Sequence, residues 1–122
     1  MKFTFPMAFS MTVLSWGVLQ YWETYEAIGE LENVLDQIRW GADWLINANP
    51  RINELYAVVG NPEVDHKYWG RAENNKDDRP AYKITRKAPG SDLAAEVAAA
   101  MSAMSLIFRR NDEPRRVSTT TF

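Results

Sequence analysis

The sequence predicts an all-α fold. Three segments place apolar residues at three- and four-residue steps, the spacing of one helix face. Each is flanked by residues that start or stop a helix. Apolar residues also reach more than one face of each segment, so the helices expect neighbours on several sides.

In the first segment Met7, Met11, Leu14, Val18, Tyr21 and Tyr25 form the stripe. Pro6 suits its first turn, where no amide hydrogen is needed. Phe9, Trp16 and Trp22 lie off that stripe. In the second, Leu31, Val34, Leu35, Ile38, Ala42, Leu45 and Ile46 line up, with Trp40 and Trp44 to one side. Asn49-Pro50 marks the stop, because proline disfavours helix at the residue before it. In the third, Leu93, Val97, Ala100, Met101, Met104, Ile107 and Phe108 repeat the pattern. Ser91 and Asp92 follow Pro89-Gly90 and offer side-chain oxygens to the first free amides. The alanines between them allow close packing.

Residues 50–90 differ. Four prolines and three glycines punctuate this stretch, and two short strands are predicted, Leu55–Val59 and Ala81–Ile84. The usual connection is only about 4–6 residues long. Tyr56, Tyr68, Trp69 and Tyr82 argue for an ordered, functional segment.

The chain has 122 residues, 46 % of them hydrophobic and 25 % charged, the balance of a globular protein. A net charge of −2 excludes a global basic field for nucleic acid or anionic lipid. The absence of cysteine excludes disulfides and thiolate–metal sites, and a single histidine excludes a histidine-rich metal centre. No cofactor is expected. The five Trp, five Tyr and five Phe suit either a core or a sugar cleft, since pyranose faces stack on aromatic rings. The opening Met1-Lys2 and the apolar run behind it imitate a signal peptide. Pro6 at the front of the run, the polar Ser10, Thr12 and Ser15 within it, and helical spacing beyond any cleavage point argue against that reading. The run is also too polar and short for a membrane span.

Five blocks resemble glycoside hydrolase family 9, mostly endoglucanases acting on β-1,4-glucans such as cellulose. They are KFTFPMAFSMTVLSWG (Lys2–Gly17), IRWGADWLINANP (Ile38–Pro50), VVGNPEVDHKYWGRAE (Val58–Glu73), RPAYKI (Arg79–Ile84) and PGSDLAAEVAAAMSAMSLIF (Pro89–Phe108). The resemblance implies part of an (α/α)6 barrel over residues 1–108, about three helices and one long loop on the active-site side. It implies an inverting hydrolase with one carboxylate as base toward water and one carboxylic acid as proton donor. The family's base lies in an Asp-Ala-Gly-Asp motif just before the Lys2 block, and its acid near the far end of the domain. Neither is assigned to a residue of this chain, so no catalytic residue is named and the isolated chain is expected to be inactive.

Substrate contact carries over. His66 matches the family's Asp-His-x-x-Trp-Gly histidine, a cleft residue reaching sugar hydroxyls. Trp69 and Tyr68 beside it offer ring faces to a glucosyl unit. The bland alternative for each is a structural or surface side chain. Arg71, Arg79 and Lys83 are expected to pair with Glu73, Asp77 and Asp78, ordering the loop. Asp92 and Glu96 are expected to complement the dipole at the start of the third helix. Residues 109–122 lose the apolar pattern and read as a divergent, solvated tail. The departure at about Glu113 reads as a truncated, frameshifted or intron-derived end. Members of the family are secreted. The competing readings are a non-catalytic carbohydrate-binding fragment and a helical interaction or membrane-targeted protein.

Overall fold

The computed structural model describes residues 1–112. Among them, helices α1 (Thr4–Gln20), α2 (Trp22–Ala27), α3 (Leu31–Ala48) and α5 (Ser91–Asp112) form the body. Strands β1 (Lys2–Phe3), β2 (Leu55–Val59) and β3 (Ala81–Ile84) make a small antiparallel sheet in the order β1-β2-β3. A single turn, α4 (Pro62–Asp65), and a short 3₁₀ turn (Ala72–Asn74) lie within the long connection from β2 to β3.

The core lies where α1, α3 and α5 meet. Its largest fully buried side chains include Leu35, Ile38, Leu45, Met104, Ile107 and Val18. α1 packs most extensively on α5 and next on α3. Where α1 approaches α3, the Met11 thioether fills the space over Gly41 that a Cβ would occupy. The stripes predicted for α3 and α5 supply this core, although Ile46 is exposed.

The first predicted stripe is corrected in two ways. The chain breaks at Tyr21, so one expected helix becomes α1 and α2. The buried face of α1 is Thr4, Ala8, Met11, Ser15 and Val18, continued by Trp22, whereas Leu14 and Tyr21 are exposed. α1 is apolar around most of its circumference, so periodicity alone cannot choose the inward face. Thr4, Ala8 and Ser15 are small and permit the close approach that Leu14 would block. Phe5, Phe9, Val13 and Trp16 lie exposed on the other side.

α2 ends in a Schellman motif. The Glu30 amide donates to the Tyr25 carbonyl and the Gly29 amide to the Glu26 carbonyl, with Gly29 at φ +75°. α3 stops at Asn49, as expected before Pro50. α5 begins at Ser91, so the residue before its first turn is Gly90, whose carbonyl accepts from Ala94 at 3.1 Å.

α5 continues four residues past Phe108, so the expected tail overlaps a helix. The Arg110 guanidinium lies 4.6 Å from the Trp22 ring centroid and 2.5 Å from a Glu23 carboxylate oxygen. That end of α5 is tied to α2 by charge and ring together. The rest of the tail expectation lies outside the described residues. By length and composition α5 could cross a membrane, yet here it is a core helix burying Leu93, Val97, Ala100, Met104 and Ile107.

Both predicted strands run over the predicted residues. β1 was not legible, being two residues long. It pairs Lys2 with Val59 and Phe3 with Val58. The register of β2 on β3 shifts between Tyr56 and Val58. There the Tyr56 carbonyl accepts the Thr4 hydroxyl at 2.5 Å, which joins the start of α1 to the middle of the sheet.

Candidate functional site

The loop after β2 is shaped by a sequence of local hydrogen bonds. Gly60, at φ +99°, turns the chain out of the sheet while its amide donates to the Pro80 carbonyl at 2.8 Å. Asn61 caps α4, its Oδ1 accepting from the Glu63 amide at 3.0 Å, and Pro62 occupies the first helical turn. The His66 amide donates to the Pro62 carbonyl at 3.0 Å and the Tyr68 amide to the Asp65 carbonyl at 3.2 Å. The Asp65 carboxylate lies 3.5 Å from the Met1 α-ammonium group, fastening this turn to the strand at the sheet edge.

The three residues singled out from the sequence therefore share one loop at the rim of the sheet. The His66 side chain is exposed. Trp69 is fully exposed. Tyr68 is half-buried, and its hydroxyl donates to the Arg71 carbonyl at 2.8 Å. The arrangement offers an imidazole that can donate and accept, and an indole open on both faces. It suits binding of a polyhydroxyl ligand.

Two carboxyls titrate below their ordinary range, and both lie away from this loop. The Glu23 carboxyl is lowered first by a backbone hydrogen bond and then by Arg110. The Glu54 carboxyl is lowered chiefly by its hydrogen bond from Lys83 at 2.9 Å. Lys83 was expected to pair within the loop. It reaches across the β2–β3 pair instead, because it stands on β3 near the start of β2. Glu96 was expected to act through the helix dipole. Its carboxylate also lies 3.1 Å from the Thr12 hydroxyl, linking α5 to α1. Among the described residues no three His, Asp or Glu side chains gather as a metal centre.

Two hollows were not foreseen from the sequence. One, of about 300 Å³, is lined by Met1, Lys2, Phe3, Met7, Trp40 and Trp44. The i, i+4 spacing of Trp40 and Trp44, which puts both indoles on one side of α3, is the sequence signal for it. The other, of about 470 Å³, lies between the end of α3, the β2–β3 pair and the start of α5.

The sequence profile of Glycosyl hydrolase family 9 matches residues 1–120. The chain belongs to this family. The match continues beyond Phe108, where the clear motif blocks end. Endoglucanase 18 of Oryza sativa subsp. japonica is 50 % identical over 109 residues, covering 89 % of this chain and 21 % of the rice protein. Endoglucanase 19 of Arabidopsis thaliana is 49 % identical over 111 residues, covering 91 % of this chain and 18 % of the relative. The endoglucanase of the termite Nasutitermes takasagoensis superimposes with a TM-score of 0.85 at 45 % identity, over 91 % of this chain and 26 % of the termite chain. The cellulase Cel9M of C. cellulolyticum, solved with cellobiose, superimposes with a TM-score of 0.83 at 31 % identity over the same shares. The chain thus spans about a fifth of the length of the curated relatives it matches. Its helices are a portion of a family 9 (α/α)6 barrel, as the sequence blocks implied.

Proposed function

We propose that this chain supplies one wall of the glucan cleft of a family 9 endoglucanase and performs no hydrolysis by itself. The observation that carries this reading is the superposition of 91 % of the chain on endoglucanase folds, one of them solved with cellobiose. His66 hydrogen-bonds sugar hydroxyls, Trp69 stacks on a glucosyl ring, and Tyr68 completes the same loop. The whole enzyme inverts at β-1,4-glucosidic bonds with a carboxylate base and a carboxylic acid. Neither role falls to Asp65, Glu73, Asp92 or Glu96. A substrate polymer too large to enter a cell supports a secreted whole enzyme, as the resemblance implies.

Purified chain on carboxymethyl-cellulose is expected to release no reducing sugar, while cello-oligosaccharides perturb its tryptophan fluorescence. Turnover by the chain overturns the inactivity. Absence of any fluorescence change overturns the cleft assignment.

A further inference from the structure

We infer that Tyr68 is a positioning residue, holding the indole of Trp69 out as a glucan platform. The inference rests on the cleft reading of the loop and gives Tyr68 a different task from stacking on sugar itself.

A tryptophan with no packing partners is held only by its backbone. Trp69 is fully exposed, so among the described residues no neighbouring side chain fixes it. The backbone on either side is held by Tyr68. Its amide donates to the Asp65 carbonyl at 3.2 Å, on the helical side. Its hydroxyl donates to the Arg71 carbonyl at 2.8 Å, on the far side. The two bonds bracket Trp69 and close a tight turn around it. The aromatic ring serves as a rigid spacer of fixed length between them.

Gly70 supports the same reading. A Cβ at this position would lie 2.8 Å from the Tyr68 hydroxyl and 3.0 Å from the ring carbon that bears it. A side chain at residue 70 would therefore crowd the tyrosine hydroxyl and shift it from its place on the Arg71 carbonyl. Glycine next to an exposed tryptophan would otherwise leave the turn loose. The tyrosine restrains the turn that the glycine makes possible. A pre-ordered platform loses less entropy when a sugar docks, so the brace acts on affinity without touching the ligand.

The test uses the full chain labelled with ¹⁵N, with the Trp69 indole N–H assigned by its loss in Trp69→Phe. In Tyr68→Phe the Trp69 indole is expected to gain fast motion while the other four tryptophan indoles stay as they were. Affinity for cellotetraose is expected to fall about three- to tenfold, the scale of one net hydrogen bond. Gly70→Ala should act in the same direction. The double variant should lose less than the product of the two, because both changes break one contact. Unchanged Trp69 motion and affinity in both single variants overturns the proposal. If Trp69 of the unaltered chain ignores cellotetraose, the glucan reading of the loop is what fails. The ligand-free mobility comparison then decides the brace alone.

Discussion

Trp22 in the helical layer and Trp69 in the loop between β2 and β3 are held by different means. Trp22 is 7 % exposed, bound into the core beside Val18 and covered by the Arg110 guanidinium. Trp69 stands fully in solvent, on a loop fastened by backbone amides, one asparagine cap and one tyrosine hydroxyl. At Trp22 packing determines position. At Trp69 the hydrogen bonds of its loop hold the backbone and there is little to pack. A loop proposed to bind glucan must leave its rings open, so it cannot use burial to hold them.

Substitutions can break or sharpen this contrast. Ile38 is completely buried in the helical layer. Ile38→Ala is expected to destabilise by about 2–5 kcal/mol in urea unfolding. A change below about 1 kcal/mol would show that the three-helix core is not where stability resides. Ser15 runs the other way. Its hydroxyl is buried without a hydrogen-bond partner among the described residues. Ser15→Ala is expected to stabilise by about 1 kcal/mol, since the residue is already of core size and only its polar atom is misplaced. A loss of stability would reveal a partner for that hydroxyl.

In the loop, Trp69→Ala is expected to leave stability within about 0.5 kcal/mol while abolishing the cello-oligosaccharide response. A large loss of stability would make Trp69 a packing residue after all. The smallest effect belongs to Lys83 and Glu54. A carboxyl whose pKa is lower folded than unfolded adds stability that is present above its ordinary pKa. That stability fades as the pH falls through the lowered value. Lys83→Met should therefore remove a small increment at neutral pH and make no difference in strong acid. Urea midpoints measured at both pH values check the sign. An effect that grows in acid would place the lysine's partner elsewhere.

Much of the architecture was legible in particular residues. Leu35, Ile38, Leu45, Val97, Met104 and Ile107 lie on the predicted stripes because on α3 and α5 one apolar face dominates and is the one buried. Leu55–Val59 and Ala81–Ile84 read as strands from their branched and aromatic residues between turn formers. Asn49-Pro50 ended α3 for a local steric reason. The His66–Trp69 loop was legible as a motif block, and the family match bears out the family that block implied.

What stayed hidden depended on contacts between distant segments. The inward face of α1 could not be chosen, because Leu14 and Ser15 compete on a helix that is apolar all round. Only the close approach of α5, and of α3 at Gly41, selects the smaller residues. Strand β1 exists because Val58 and Val59 are beside it, and nothing in Lys2–Phe3 announces that. Lys83 had several acids within reach along the chain, and the register of β2 on β3 chose Glu54.

Local chemistry in the sequence determined where α3 stops and where β2 and β3 run, and which family the chain joins. The tertiary structure decided which faces meet and which charges pair, such as Lys83 with Glu54 and Arg110 with Glu23. Periodicity and turn chemistry act over a few residues, whereas burial and pairing depend on whatever the fold brings near.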